Sequence, residues 1–319
     1  MANQTKNGKA FEYALLFELY QNLKDSTKIS IKQNAPFLTA KGFFDVFSKV
    51  EQHTFRASAS AAIKFLIDIE PRLSNGIEEN DALVLELVSD KQGQSGDVRD
   101  VLMIRSLQKW EIGISAKNNH RAVKHSRLSM KIDFGEKWVG FPCSQNYFNE
   151  IRPIFMMLDA IKKKDSSTRW DSINDMHQKI YIPILNAFRK ELLRLDREYP
   201  KEVAQNLVKY LVGTEDFYKV IKGNGKVEIQ AYNLQGTLNQ SFQRIKPKAK
   251  IPSLKFPSRL IEIVYQTNST TTLLVSLNQG WQISFRIHNA SSRVEPSLKF
   301  DINLISVPHT LFTHHIFVD

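Results

Sequence analysis

The chain has 319 residues, 42% of them apolar and 24% charged, a balance that excludes collagen-like, mucin-like, coiled-coil and largely disordered chains. Lys and Arg total 44 against 33 Asp and Glu, a net charge of +11, and such a surplus favours a polyanionic partner, nucleic acid before an anionic membrane face. The lone Cys143 excludes internal disulfides and a four-thiolate zinc site, and with no long apolar run and no apolar stretch at the N-terminus the expectation is a cytoplasmic protein without a membrane span.

In chain order, Phe11, Leu15, Leu19 and Leu23 recur every four residues and predict an amphipathic helix over Gly8 to Leu23. A second helix is expected from Ala57 to Ile69, ending before Pro71. Asp81–Val88, Val98–Arg105 and Trp110–Lys117 read as strands of one antiparallel meander, because the linkers are short. Between Lys117 and Lys137 there are six Lys or Arg, two His and two acids. Helices follow at Gln145–Lys163, Trp170–Glu198 and Glu202–Val212, with Pro153, Pro183 and Pro200 marking kinks or ends. From Gly223 onward strands are expected at Val227–Tyr232, Leu260–Tyr265, Thr271–Ser276, Trp281–Ile287 and Leu298–Ile305. His314 and His315 read as a tail, and Cys143 as a packed residue. The expected architecture is α/β (α+β) in three parts: residues 1–165, a helical region at 166–222 and a β-rich part at 223–319.

The chemistry concentrates around Asp100 and the run Gly113-Ile114-Ser115-Ala116-Lys117. A hairpin centred between Gln108 and Lys109 pairs residues whose numbers sum to 217. Asp100 then lies opposite Lys117 and diagonal to Ser115, on one face. Gln-Lys makes a poor two-residue turn, and a longer loop would slide this register by one pair. A carboxylate beside a lysine suits metal-assisted phosphodiester hydrolysis, but one carboxylate holds Mg²⁺ weakly and a second acid is needed. Glu12, one residue off the apolar stripe of the first helix, is a candidate; its alternative is a solvated helix charge.

These residues resemble the PD-(D/E)xK nucleases. GDVRDVLMIRSLQKWEIGISAKNNHRAVKHSRLS, GKAFEYALLFELY and FRIHNASSRVEPSLKFD are similar, more closely, to type II restriction endonucleases of the HaeIII group. The resemblance spans the whole chain and implies a nuclease core with Asp100, Glu12 and the Ala116 carbonyl on the metal and Lys117 as the motif lysine. It also implies Mg²⁺-dependent cutting of double-stranded DNA at GGCC, blunt between G and C, by a homodimer paired with a DNA methyltransferase. The chain departs from the pattern at Ser115, where an acid is usual, and no proline precedes Asp100. That favours Glu12 as the second acid, with Glu111, Asp133 and Glu136 as competitors and Asp97 as either a supporting acid behind the site or, the favoured reading, a turn residue.

Asn118, Asn119, His120, Arg121, Lys124, His125 and Arg127 are expected on backbone phosphates. Along Trp281–His288 the apolar residues alternate with Gln282, Ser284, Arg286 and His288, which with Asn289 and Arg293 could read base edges. Arg244 to Arg259, six cations without an acid, reads as an extended phosphate-following segment or a surface loop. Two other readings stand beside the restriction enzyme: a structure-selective nuclease on the same core, and a DNA-binding module that has lost catalysis through Ser115.

Overall fold

The computed structural model describes residues 3–89, 97–119 and 123–318. Contacts group the chain into two units, each discontinuous in sequence. The first comprises Met1–Arg121, Gly213–Leu254 and His309–Asp319; the second comprises Ala122–Val212 and Lys255–Pro308. The borders drawn from sequence at 165/166 and 222/223 differ from these.

In the first unit, helix α1 (Asn3–Leu23) buries Phe11, Leu15, Leu19 and Leu23 as its four-residue spacing requires. Helix α2 (Ala35–Asp45), absent from the sequence reading, is nucleated by Asn34, whose side chain accepts the Phe37 N–H at 3.0 Å. Helix α3 (Lys49–Ile69) starts eight residues earlier than expected because Ser48 and Glu51 form a reciprocal capping box. The short α4 spans Pro71–Ser74.

Seven strands form one sheet: β1 (Ile29–Ile31), β2 (Leu83–Leu87), β3 (Val101–Arg105), β4 (Trp110–Asn118), β6 (Phe217–Lys222), β7 (Lys226–Tyr232) and β12 (Phe312–Phe317), in the order β1-β2-β3-β4-β6-β7-β12. The expected β2-β3-β4 meander is present, and β6 then lies parallel to β4. Strand β6 was not read from the sequence and lies inside the region assigned as helical at 166–222: all six of its residues are buried, so it shows no two-residue alternation. The histidine pair is no tail. His314 lies opposite Ile229 in β12, stacked 4.2 Å from the Phe65 ring.

The second unit carries helices α5 (Gln145–Lys164), α6 (Ile182–Glu198) and α7 (Pro200–Val212). The single helix expected from Trp170 is broken where Asp175 adopts φ +57°, and α6 begins only after a π-turn at His177–Tyr181. Its sheet is β5 (Lys124–Leu128), β11 (Leu298–Ser306), β10 (Gln282–Asn289), β9 (Thr272–Leu277) and β8 (Leu260–Tyr265), paired antiparallel in that order. Phe188 centres an aromatic core, 4.7 Å from Phe134 and 5.1 Å from Phe300. Cys143 sits beside that core with its thiol pKa raised by burial, as a packed rather than reactive cysteine.

One buried charge holds the first sheet's base. Arg105, fully buried, donates to the carbonyls of Arg72 (2.6 Å), Asp81 and Leu73 and to the Thr27 hydroxyl. Replacing it with Met orphans those acceptors and removes the cation 3.8 Å from the Asp81 carboxylate. Arg105→Met is expected to cost about 3–5 kcal/mol in denaturant unfolding, and a loss under about 1 kcal/mol contradicts this account.

Candidate active site

The β3–β4 connection sets the site's geometry. A 3-10 turn at Ser106–Gln108 and a left-handed Lys109 (φ +48°) make a four-residue loop, so Arg105 pairs with Trp110. Partners therefore sum to 215 rather than 217, and the same progression sets Asp100 across from Ser115 with Lys117 on the diagonal. Asp100 donates its N–H to the Ile114 carbonyl at 2.7 Å. Its Oδ2 accepts the Ala116 N–H at 2.7 Å, with the Ser115 hydroxyl and the Lys117 Nζ each at 3.4 Å. The carboxylate thus bridges its own strand end and the motif segment.

Glu12 comes from α1, beside the buried Phe11. Its side chain is 9% exposed and accepts from Lys9 Nζ at 3.0 Å. Burial pushes its pKa up to about 8, and the charge of Asp100 adds to the rise; Lys9 and Lys117 oppose it. Glu12, Asp100 and Lys117 therefore share one electrostatic neighbourhood.

The competing acids are engaged elsewhere. Glu111 pairs with Arg99 at 2.8 Å. Asp133 accepts the N–H groups of Glu136 and Cys143, and Glu136 itself is exposed. Asp97 accepts from the Arg99 backbone and guanidinium, the local turn role expected of it. Among the described residues no group of three or more His, Cys, Asp or Glu side chains could hold a metal ion.

The remaining candidates divide between the two units. Asn118 ends β4 with its Oδ1 buried and unpartnered, and Asn119 takes φ +54° while donating its N–H to the Lys222 carbonyl. His120 and Arg121 lie outside the described residues. Lys124, His125, Arg127, Arg286, His288, Asn289 and Arg293 belong to the second unit. Lys124 is not presented to solvent as a free cation: its Nζ donates to the Tyr210 carbonyl at 2.8 Å and lies 3.8 Å from that ring's centre, and burial lowers its pKa to about 8.

Asp301 on β11, overlooked in the sequence, organises much of the rest. It lies between its cross-strand partners His125 and Arg286 and binds each at 2.7 Å. His288 Nε2 is 3.2 Å from Asp301 without forming a hydrogen bond to it. Arg127 is exposed beside Ser297 and Glu295, Asn289 Nδ2 donates to the Ser291 carbonyl, and Arg293 is exposed. Lys9 and Arg99 were also missed, although Lys9 stands at the i−3 position that pairs with Glu12 along a helix.

The HaeIII restriction endonuclease family model matches residues 8–308. The chain belongs to that family. It is 42% identical over 314 residues to the type II restriction enzyme HaeIII of Haemophilus aegyptius, covering 98% of this chain and 97% of the relative. Membership makes the protein a restriction endonuclease, a DNA hydrolase, and no helix among its described residues is long and apolar enough to cross a membrane.

Two outcomes follow from the packing. A Cβ on Gly113 would overlap the Arg99 side-chain carbons, so Gly113→Ala should cost about 1–3 kcal/mol in thermal unfolding by displacing Arg99 from Asp97 and Glu111. In the second unit, burial opposes ionisation of Asp301, yet Arg286 and the two histidines hold its pKa at about 2. A depressed carboxylate stabilises the fold above its unfolded value near 3.9 and loses that contribution as pH falls towards about 2. Asp301→Asn should therefore flatten the stability decline across that acid window, as read by denaturant unfolding at successive pH values.

Proposed function

We propose that the chain is a Mg²⁺-dependent type II endonuclease that cuts double-stranded DNA at GGCC with blunt ends, using Glu12, Asp100 and Lys117. The supporting observation is the shared neighbourhood of those side chains, above all the Glu12 carboxyl raised to about 8 by burial and by Asp100. Two carboxylates confined together repel, and a hard divalent cation with oxygen donors relieves that repulsion. The donor set fits such an ion, with the Ala116 carbonyl as a further ligand. Bound there, Mg²⁺ would supply charge neutralisation at a phosphate oxygen in the transition state.

The chain's own groups do the rest. Asp100, fixed by the Ala116 N–H, keeps Lys117 Nζ within 3.4 Å of its Oδ2, which orients the ammonium towards an attacking water. Ser115 is neutral and adds no negative charge against the phosphate. Water forms the new P–O bond, the bond from phosphorus to the 3′ oxygen breaks, and the leaving oxygen takes up a proton. The products carry 5′-phosphate and 3′-hydroxyl ends.

DNA contacts are assigned to Asn118, Asn119, His120, Arg121 and Arg127 on phosphates and to Arg286, His288, Asn289 and Arg293 on base edges. A palindromic site suits a homodimer. The protein would act in the cytoplasm beside a methyltransferase that protects host GGCC sites.

Asp100→Ala and Lys117→Ala are each expected to lower cleavage of a sequenced plasmid at least about 100-fold while leaving thermal stability and DNA affinity near wild type. Mapping the wild-type product ends tests the specificity: ends within GGCC support it, ends elsewhere replace the recognition sequence, and wild-type turnover in either variant moves the site.

A further inference from the structure

A second polar site lies at the end of the same sheet. Strand β6 runs parallel to β4, with Lys117 opposite Ile221 and Asn118 opposite Lys222. Just beyond, the β6–β7 hairpin turns tightly, the Gly223 N–H reaching the Lys226 carbonyl at 2.8 Å and Gly225 taking φ +63°. The turn brings Lys222 and Lys226 to one cavity of about 200 Å³, lined by Asn119, Ile221, Lys222, Gly223, Lys226 and Glu228.

Lys222 is the unusual member. It is only 9% exposed, yet among the described residues its ammonium makes no hydrogen bond or ion pair; its one close partner is the Phe55 ring, 5.5 Å away. Its ammonium opens onto the cavity with no acceptor there, and partial burial lowers its pKa. An anion entering the cavity would supply the missing acceptor. Glu228 stands on the wall with its Oε1 bonded to Gln230 Nε2 at 2.7 Å, and the two lysines outnumber it.

We infer that this cavity binds a backbone phosphate of the DNA substrate, through the ammonium groups of Lys222 and Lys226. The inference rests on the DNA-cleaving reading above and adds a phosphodiester subsite to it.

The test uses full-length Asp100→Ala protein, which should bind without cutting, and a duplex of about 30 base pairs containing one GGCC. Affinity is measured against salt concentration. Lys222→Met keeps the stem that packs near Phe55 and removes the charge; it should reduce the slope of log K against log salt by about 0.9, and weaken GGCC and scrambled duplexes alike. Lys222→Arg should restore the slope, which a packing role alone would not require. An unchanged slope in a folded Lys222→Met protein overturns the subsite. Should that variant fail to fold, exposed Lys226→Met carries the same expectation, and an unchanged slope there overturns the subsite equally. If the Asp100→Ala parent shows no salt-dependent DNA binding, the functional reading falls and the subsite with it; if the parent binds and the lysine variants match it, only the subsite falls.

Discussion

The site depends on one hydrogen bond, from the Ala116 N–H to Asp100 Oδ2 at 2.7 Å. Asp100 stands just before β3, where the ladder no longer dictates a side chain's direction, and this bond ties its carboxylate to the motif strand. Ser115 and Lys117 then approach the same oxygen because they flank Ala116 on β4. Without it, the carboxylate would be free to rotate towards solvent and Glu12 would lose its near neighbour.

Ser115 becomes intelligible in that setting. It is 2% exposed and directly opposite Asp100 in the progression of the hairpin. A third carboxylate there would add repulsion to a pair in which Glu12 is already pushed to about 8. In the proposed site the second acid comes from α1, as Glu12, buried next to Lys9. A carboxylate on a helix would tie that proposed site to the packing of α1 through the buried stripe of Phe11, Leu15, Leu19 and Leu23.

Much of this was legible in the sequence for physical reasons. Helix α1 and the β2-β3-β4 meander carry strong periodicity, and face parity places Asp100 with Ser115 and Lys117 in either register. The register moved by the one pair that the poor Gln-Lys turn left open, because Lys109 adopts a left-handed conformation and lengthens the loop to four residues. Strand β6 was invisible because a wholly buried strand lacks alternation, and with it went Lys222. Asp301 was overlooked because its role comes from cross-strand partners 15 and 176 residues distant in sequence. Helix α2 and the early start of α3 were available in Asn34 and in Ser48 with Glu51, whose capping patterns went unread.

The central claim is that Glu12 and Asp100 together hold the divalent ion. Mn²⁺ titration into DNA-free protein, followed by electron paramagnetic resonance of the free ion, tests it without reference to cleavage. The account predicts saturable binding by the wild type and loss of most of that affinity in Glu12→Gln, with thermal stability retained. Equal Mn²⁺ affinity in the two proteins would contradict it and place the second carboxylate elsewhere.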